Sequence, residues 1–274
     1  MIAPAAAHHR PRKRFGQNFL VDPHITARIV RAIAPRAQDT IVEIGPGLGA
    51  LTEQVLAHLA HPLHAIEIDR DLAARLRARF SPAQLLLFEA DALHFDFHQL
   101  PAPLRVIGNL PYNISTPLLF HLAECADHLQ DLTFMLQKEV VDRICATPET
   151  PADNGRLAIM LQLRFACEHL FDVPPEAFDP PPKVQSAIVR LTPLPANRPR
   201  PRDETLFANM VTAAFAQRRK TLRNTLAPFL SADALTACGI DPTTRAERLS
   251  VADFIRLADC AVQSTTSLEK PKCP

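Results

Sequence analysis

An α/β fold with a parallel sheet, followed by a small helical domain, is what this 274-residue sequence predicts, and three observations predict it. From residue 40 to about 136, short apolar runs rich in β-branched residues alternate with helical patterns, as strands joined by crossover helices do. A glycine-rich turn, Gly45-Pro46-Gly47-Leu48-Gly49, falls between the first such strand and the first such helix. Beyond residue 203 the pattern is helical throughout.

Taken in order, strands are expected over residues 40–44, 63–68, 84–88, 104–107 and 132–136. Helices over 51–59 and 72–80 carry apolar residues at three and four spacing, and Asp69 stands where a carboxylate can cap the second of them. Two later β-like runs, 169–173 and 186–191, are expected to close the sheet as an antiparallel hairpin. The proline-rich stretch 193–202 can form neither helix nor inner strand and reads as a linker. Helices are then expected over 204–215, 218–230, 232–238 and 251–262. The domains are therefore 1–192, carrying the sheet, and 203–262, with a frayed tail over 263–274.

Composition sets bounds on function. A hydrophobic content of 47% supports a real core, and no apolar run approaches membrane-spanning length. An Ala-rich start followed by Arg10, Arg12, Lys13 and Arg14 reverses the order of a secretory signal, so a cytoplasmic location is expected. The six cysteines are scattered with no CxxC pair, so neither a metal site nor a disulfide framework is expected. The net charge of +1 is segregated: residues 1–36 hold seven Lys/Arg against one acid, 37–100 four against nine, and 193–230 seven against two. That division suits a protein meeting a polyanion at its rim while holding something cationic or neutral inside.

Gly45, Gly47 and Ala50 satisfy the pattern G-x-G-x-x-G/A, and Glu67 follows at a distance suited to ribose hydroxyls. This loop alone does not separate a nicotinamide dinucleotide from S-adenosylmethionine. A pyrophosphate favours a helix N-terminus, whereas this segment is net negative, with Glu43, Glu67 and Asp91 at or beside predicted strand ends. Asp91 can accept a hydrogen bond from an adenine amine, or cap a helix. Asn109 stands at a fourth strand end, and ligands in open parallel sheets bind beyond these ends. Asn109-Leu110-Pro111-Tyr112 brings an amide, a proline-fixed backbone and the only tyrosine of the chain. Together they can grip a planar base that carries an exocyclic amine, although such a tetrapeptide also makes an ordinary turn.

The motifs running from Val42 to Gly49, with Glu67-Ile-Asp, Asp91-Ala and Asn109-Leu-Pro-Tyr-Asn-Ile-Ser-Thr, resemble the ribosomal RNA adenine N6-dimethyltransferases. Phe15-Gly-Gln-Asn-Phe-Leu, Met135-Leu-Gln-Lys-Glu-Val, Phe178-Asp-Pro-Pro-Pro-Lys-Val and Gln217-Arg-Arg-Lys-Thr-Leu-Arg-Asn are similar to the bacterial KsgA/RsmA branch. The likeness runs from about residue 10 to 262. It implies a Rossmann-like class I S-adenosylmethionine-dependent methyltransferase sheet. It also implies cofactor contacts from Asn18, Leu20, Gly45, Glu67, Asp91 and Asn109. Without it, Gln17 and Asn18 read as a polar loop before a helix. The substrate it implies is a pair of adjacent adenines in the 3′-terminal loop of 16S rRNA, in the small ribosomal subunit or its precursor, each receiving two methyl groups.

Adenine N6 is a poor nucleophile because its lone pair is delocalised. Carbonyls of the Asn109 side chain and the Leu110 backbone can accept its two hydrogens and aim the lone pair, while Pro111 fixes the backbone and Tyr112 stacks on the base. The second stacking face implied by the resemblance is Phe178, whose alternative is core packing. Arg218, Arg219, Lys220 and Arg223, on a predicted helix, would bracket RNA phosphates with the N-terminal cations, or else form a solvated face. No metal is implied, and a monomer is expected. Three other readings stand beside this one. An oxidoreductase lacks a distinct hydride-handling constellation, and a non-catalytic assembly factor leaves Asp91, Asn109 and Tyr112 without purpose. A large-subunit rRNA methyltransferase of the antibiotic-resistance type is disfavoured by Leu110, the Pro-Pro-Pro-Lys-Val run and the basic segment after Gln217.

Overall fold

The structure is a computed structural model that describes residues 17–268. The expected N-terminal cations Arg10, Arg12, Lys13 and Arg14 lie outside the described residues.

A short strand β1 (Phe19–Leu20) leads into helix α1 (Pro23–Ile33). Proline at the first helical position lacks a donor the helix would not use, and Asp22 caps the next turn, accepting from the N–H groups of His24 at 2.7 Å and Ile25 at 3.2 Å. Next come β2 (Thr40–Ile44), α2 (Ala50–Leu56), β3 (Leu63–Glu67), α3 (Arg70–Arg79), β4 (Leu85–Glu89), β5 (Leu104–Asn109), α4 (Ser115–Glu124) and β6 (Leu129–Gln137). They are followed by α5 (Lys138–Ile144), α6 (Arg156–Gln162), β7 (Phe165–Val173), β8 (Phe178–Asp179) and β9 (Ser186–Pro193).

Seven strands form one sheet in the order β4-β3-β2-β5-β6-β9-β7, and β1 pairs antiparallel with β8 in a separate ribbon. Strands β2 to β6 pair in parallel. Their near-continuous apolar runs follow from burial on both faces: Ile41, Val42 and Ile44 of β2 are at most 2% exposed. Successive strands run outward from β2 on one side and from β5 on the other, so the boundary between β2 and β5 is the topological switch point where α/β sheets open a crevice. The expected closing pair lies at the β6 side with the later strand, β9, inside and β7 at the edge.

Arg105 of β5 is buried, with its guanidinium 2.6 Å from Asp39 and 2.7 Å from Asp131. It also donates to the carbonyls of Ile33 at 2.6 Å and Ala34 at 3.3 Å. This cation thus satisfies the last turn of α1 and ties that helix to the sheet.

The chain divides into two compact units, Met1–Lys138 with His169–Arg190, and Glu139–Glu168 with Leu191–Pro274. The sequence places the boundary at 193–202; by contacts, Glu139–Glu168 groups with the later residues. The reason is the apolar face of α6 and its C-cap: Ile159 and Leu163 pack in one core with Phe207, Met210, Leu222 and Phe254. Buried Asn154 adds hydrogen bonds to the carbonyls of Glu247 at 3.0 Å and Leu249 at 3.2 Å.

The second unit also contains α7 (Glu204–Phe215), α8 (Leu222–Thr225), α9 (Ala232–Ala237) and α10 (Val251–Leu268). The helix expected over 218–230 is a correction: only α8 is helical, and Arg218, Arg219 and Lys220 occupy the turn before it. Thr221 is extended (φ −80°, ψ 161°), and the N–H groups of Leu222 and Arg223 bond the carbonyls of Thr244 and Pro242, while Pro228 stops any continuation. Residues 263–268, expected to fray, continue α10. Cys238 and Cys260, 22 residues apart, pair as a disulfide, where the scattered cysteines signalled no disulfide framework. Their spacing carries no signal, because the turn after α9 brings one to the side of α10. Among the described residues no helix is long and apolar enough to cross a membrane.

Candidate active site

A cavity of about 310 Å³ opens in the first unit where β2, β3, β4 and β5 end. It brings together most of the residues that the sequence singled out: Asn18, Gly45, Glu67, Asp91, Asn109, Leu110, Pro111 and Tyr112 all line it.

The glycine loop is built on backbone that other residues rarely adopt: φ is 66° at Gly45, 60° at Gly47 and 81° at Gly49. A Cβ on Gly47 would also come within 3.2 Å of the Phe19 ring. The loop in turn holds Glu67. One Glu67 oxygen accepts the Asp69 N–H at 2.9 Å and the other accepts the Gly47 N–H at 3.3 Å. Burial pushes the Glu67 pKa up, while these two bonds pull it back.

Asp69, which sequence reasoning read only as a cap, does cap α3 through the Asp71 N–H at 3.0 Å. It also accepts from Gln17 Nε2 at 3.1 Å and so fastens the N-terminal segment to the cavity wall. Asp91 accepts the Leu93 N–H at 2.9 Å and closes a turn, with His94 Nδ1 3.3 Å from its other oxygen. No helix follows it, so the capping alternative takes the form of a turn.

Asn109 ends β5, and its Nδ2 donates to the Asn18 carbonyl at 3.0 Å. That bond orients the amide, with nitrogen toward the N-terminal segment and oxygen left as the acceptor. The Leu110 N–H bonds the Met135 carbonyl at 3.2 Å, tying the tetrapeptide to β6. The Tyr112 hydroxyl lies 3.1 Å from Ser186 Oγ, and Ser115 Oγ donates to the Tyr112 carbonyl at 3.1 Å.

Gly108 was missed. A Cβ there would lie 2.5 Å from the Ile44 carbonyl oxygen, so β2 and β5 reach their present approach only with glycine at this position. A glycine inside an apolar strand was the available signal.

Two expected contacts, Leu20 and Phe178, are absent from the lining of this cavity. Glu43, beside the end of β2 as expected, lines a smaller neighbouring cavity of about 50 Å³ together with Leu20. Thr52 Oγ1 donates to it at 2.6 Å, and burial pushes its pKa up to about 7. Phe178 is 4% exposed, pairs with Leu20 across the ribbon, and belongs to the core with Ile29 and Ile188. Its faces are therefore covered by neighbours and do not form the cavity wall. Arg218, Arg219, Lys220 and Arg223 are exposed in the second unit.

Among the described residues, two carboxylates, four amides and no Lys, Arg or His line the larger cavity. Such a wall accepts hydroxyl and amine donors and favours a cation. A pyrophosphate would meet these carboxylates with no counter-charge among the described lining residues.

A family model described as ribosomal RNA adenine dimethylase matches residues 8–263. The chain is 59% identical over 253 residues to ribosomal RNA small subunit methyltransferase A of Aromatoleum aromaticum, covering 92% of this chain and 95% of that one. It is 61% identical over 246 residues to the protein of the same name from Thiobacillus denitrificans, covering 90% and 96%. Among solved structures, a dimethyladenosine transferase from Plasmodium falciparum matches with a TM-score of 0.75 at 25% identity, over 87% of this chain and 95% of that one. The 23S rRNA methyltransferase ErmE matches with a TM-score of 0.70 at 26% identity, over 90% and 100%. This chain belongs to the ribosomal RNA adenine dimethylase family.

Proposed function

We propose that this chain transfers methyl groups from S-adenosylmethionine to N6 of two adjacent adenines in the 3′-terminal loop of 16S rRNA, in the small ribosomal subunit or its precursor. The observation that carries the reading is the Asn109-Leu110-Pro111-Tyr112 turn, which opens on a cavity lined by the carboxylates of Glu67 and Asp91 and, among the described residues, by no cationic side chain. The choice of small-subunit rRNA is supported by relatives of that name at 59% and 61% identity, against 26% for the 23S enzyme.

The residues fit the cofactor. Glu67 would take the ribose hydroxyls and Asp91 the adenine amine, with Asn18, Leu20, Gly45 and Asn109 completing the contacts. When bound, S-adenosylmethionine supplies an electrophilic methyl on a sulfonium. The chain's own work is orientation: Asn109 Oδ1 and the Leu110 carbonyl accept the two hydrogens of the target amine, which turns the nitrogen lone pair out of conjugation. Pro111 narrows the backbone choices at that point, and Tyr112 lies against the base. The base leaves its RNA stack to arrive there, and each aromatic face recovers about 1–3 kcal/mol. Phe178 is the candidate for a second face, which requires its ring to turn out of the core that covers it.

RNA phosphates are met by Arg218, Arg219, Lys220 and Arg223 on the helical unit. The protein acts as a monomer in the cytoplasm. The test is transfer of labelled methyl to unmethylated small ribosomal subunits, with large subunits in parallel, followed by mapping of the modified base. Dimethyladenine at adjacent small-subunit adenines is expected; label on large subunits alone overturns the choice of substrate.

A further inference from the structure

We propose that Ser186 is a positioning residue for the methyl transfer, holding the Tyr112 ring in the orientation against which the base lies. This rests on the reading of the tetrapeptide at the end of β5 as the base site.

Tyr112 is half-buried and is held at both ends. At the backbone end, Ser115 Oγ donates to its carbonyl at 3.1 Å, and Ser115 is itself buried at the start of α4. At the far end, the hydroxyl lies 3.1 Å from Oγ of Ser186, which is 1% exposed. Ser186 is a firm anchor. It is the first residue of β9, a strand inside the sheet between β6 and β7. The carbonyl of the preceding residue, Gln185, accepts the Lys138 N–H at 2.9 Å. The Leu110 N–H bond to Met135 adds a tether from β6 to the same turn.

A tyrosine ring turns about two side-chain torsions, and stacking uses only one of the resulting orientations. A bond at the tip of the ring removes that freedom before the base arrives, so the ordering is not charged to the transition state. Phenylalanine at 112 would offer the same aromatic face without the tie. The hydroxyl therefore acts on the protein, through Ser186, and not on the base. If the two hydroxyls merely satisfied one another, breaking the pair would lower stability and leave turnover alone.

The sequence contains one tyrosine and no tryptophan, so the near-ultraviolet emission of the full chain reports the Tyr112 ring without any substrate. We expect Ser186→Ala to lower the anisotropy of that emission. On unmethylated small subunits, Ser186→Ala and Tyr112→Phe should each reduce kcat about three- to tenfold. Both should leave KM for S-adenosylmethionine in place, and the double variant should fall no further than either single one. Unchanged anisotropy in folded Ser186→Ala overturns the proposal. So does wild-type kcat in either single variant, or a double variant whose loss is the product of the two. Tyr112→Phe breaks the same bond from the cavity side, so its kcat decides the matter if Ser186→Ala does not fold. Full turnover by Tyr112→Ala is a separate result, and it would sink the base-site reading itself.

Discussion

Replacing Glu43 with glutamine probes a charge that the fold holds at a measurable cost. The carboxyl sits in β2 at 2% exposure, with one close donor, Thr52 Oγ1 at 2.6 Å. Burial raises its pKa from 4.5 to about 7; the Thr52 bond opposes that rise and the Glu67 carboxylate adds to it. In the unfolded chain the group ionises near its ordinary value. Below about pH 4.5 both states are protonated and the carboxyl costs nothing. As the pH climbs toward 7, the unfolded state gives up its proton first and stability is lost; above 7 the loss is complete. A rise of about 2.5 in pKa, at about 1.4 kcal/mol for each step of one, amounts to about 3 kcal/mol. Glutamine has the same shape, and its carbonyl can still accept from Thr52, so Glu43→Gln removes the charge while keeping the packing. Urea unfolding of both proteins at steps from pH 4.5 to 8 measures the difference, since the other carboxylates are common to both. The advantage of the variant should grow by about 3 kcal/mol across that range with equal m-values. A difference that stays flat with pH would refute the assignment of a costly buried charge at Glu43.

Gly108→Ala places a Cβ 2.5 Å from the Ile44 carbonyl oxygen, so it should lower stability by about 1–3 kcal/mol. Because Asn109 is the next residue, it should also weaken S-adenosylmethionine binding by calorimetry; wild-type values in both measurements would show that the strands separate freely. Phe178→Leu keeps an apolar side chain in the core at a cost of about 1–2 kcal/mol. Loss of methyl transfer in this folded variant, with cofactor affinity intact, is expected if a base uses the ring, and unchanged turnover would confine Phe178 to packing. Glutamine at Arg218, Arg219, Lys220 and Arg223 together should reduce the slope of log K against log salt for RNA binding by about 3, without altering cofactor affinity. An unaltered slope would move the RNA surface elsewhere.

The parallel core of the fold was legible because its strands are buried on both faces and read as apolar runs, and because glycines mark the positive-φ turn after β2. Most of the cavity was legible for a related reason: strand ends converge in a parallel sheet, so Gly45, Glu67, Asp91 and Asn109 could be placed together from strand boundaries alone. What escaped depended on partners distant in sequence. Gln17 and Asp69 are bonded 52 residues apart, and Tyr112 and Ser186 are 74 apart. Local periodicity carries no trace of either pair. The grouping of Glu139–Glu168 with the helical unit is of the same kind, since an amphipathic helix shows that it has a partner without showing which one. The overextended helix after Gln217 has another origin: helix-forming residues surround Thr221, but its N-terminal turn bonds a remote loop that propensity does not register.

The site gains a further property from the way Glu67 is held. Its carboxylate accepts the backbone N–H groups of Gly47 and Asp69, and the Ile68 N–H is a further donor to it. These N–H groups partly offset the burial that raises the Glu67 pKa. The Gly47 N–H reaches Glu67 because φ at Gly47 is 60°, and a side chain there would also crowd Phe19. The glycine loop of this fold thus does more than leave room for a ligand. It supplies a donor that aims the Glu67 carboxylate, so a substitution at Gly47 disturbs Glu67 as well as adding steric bulk.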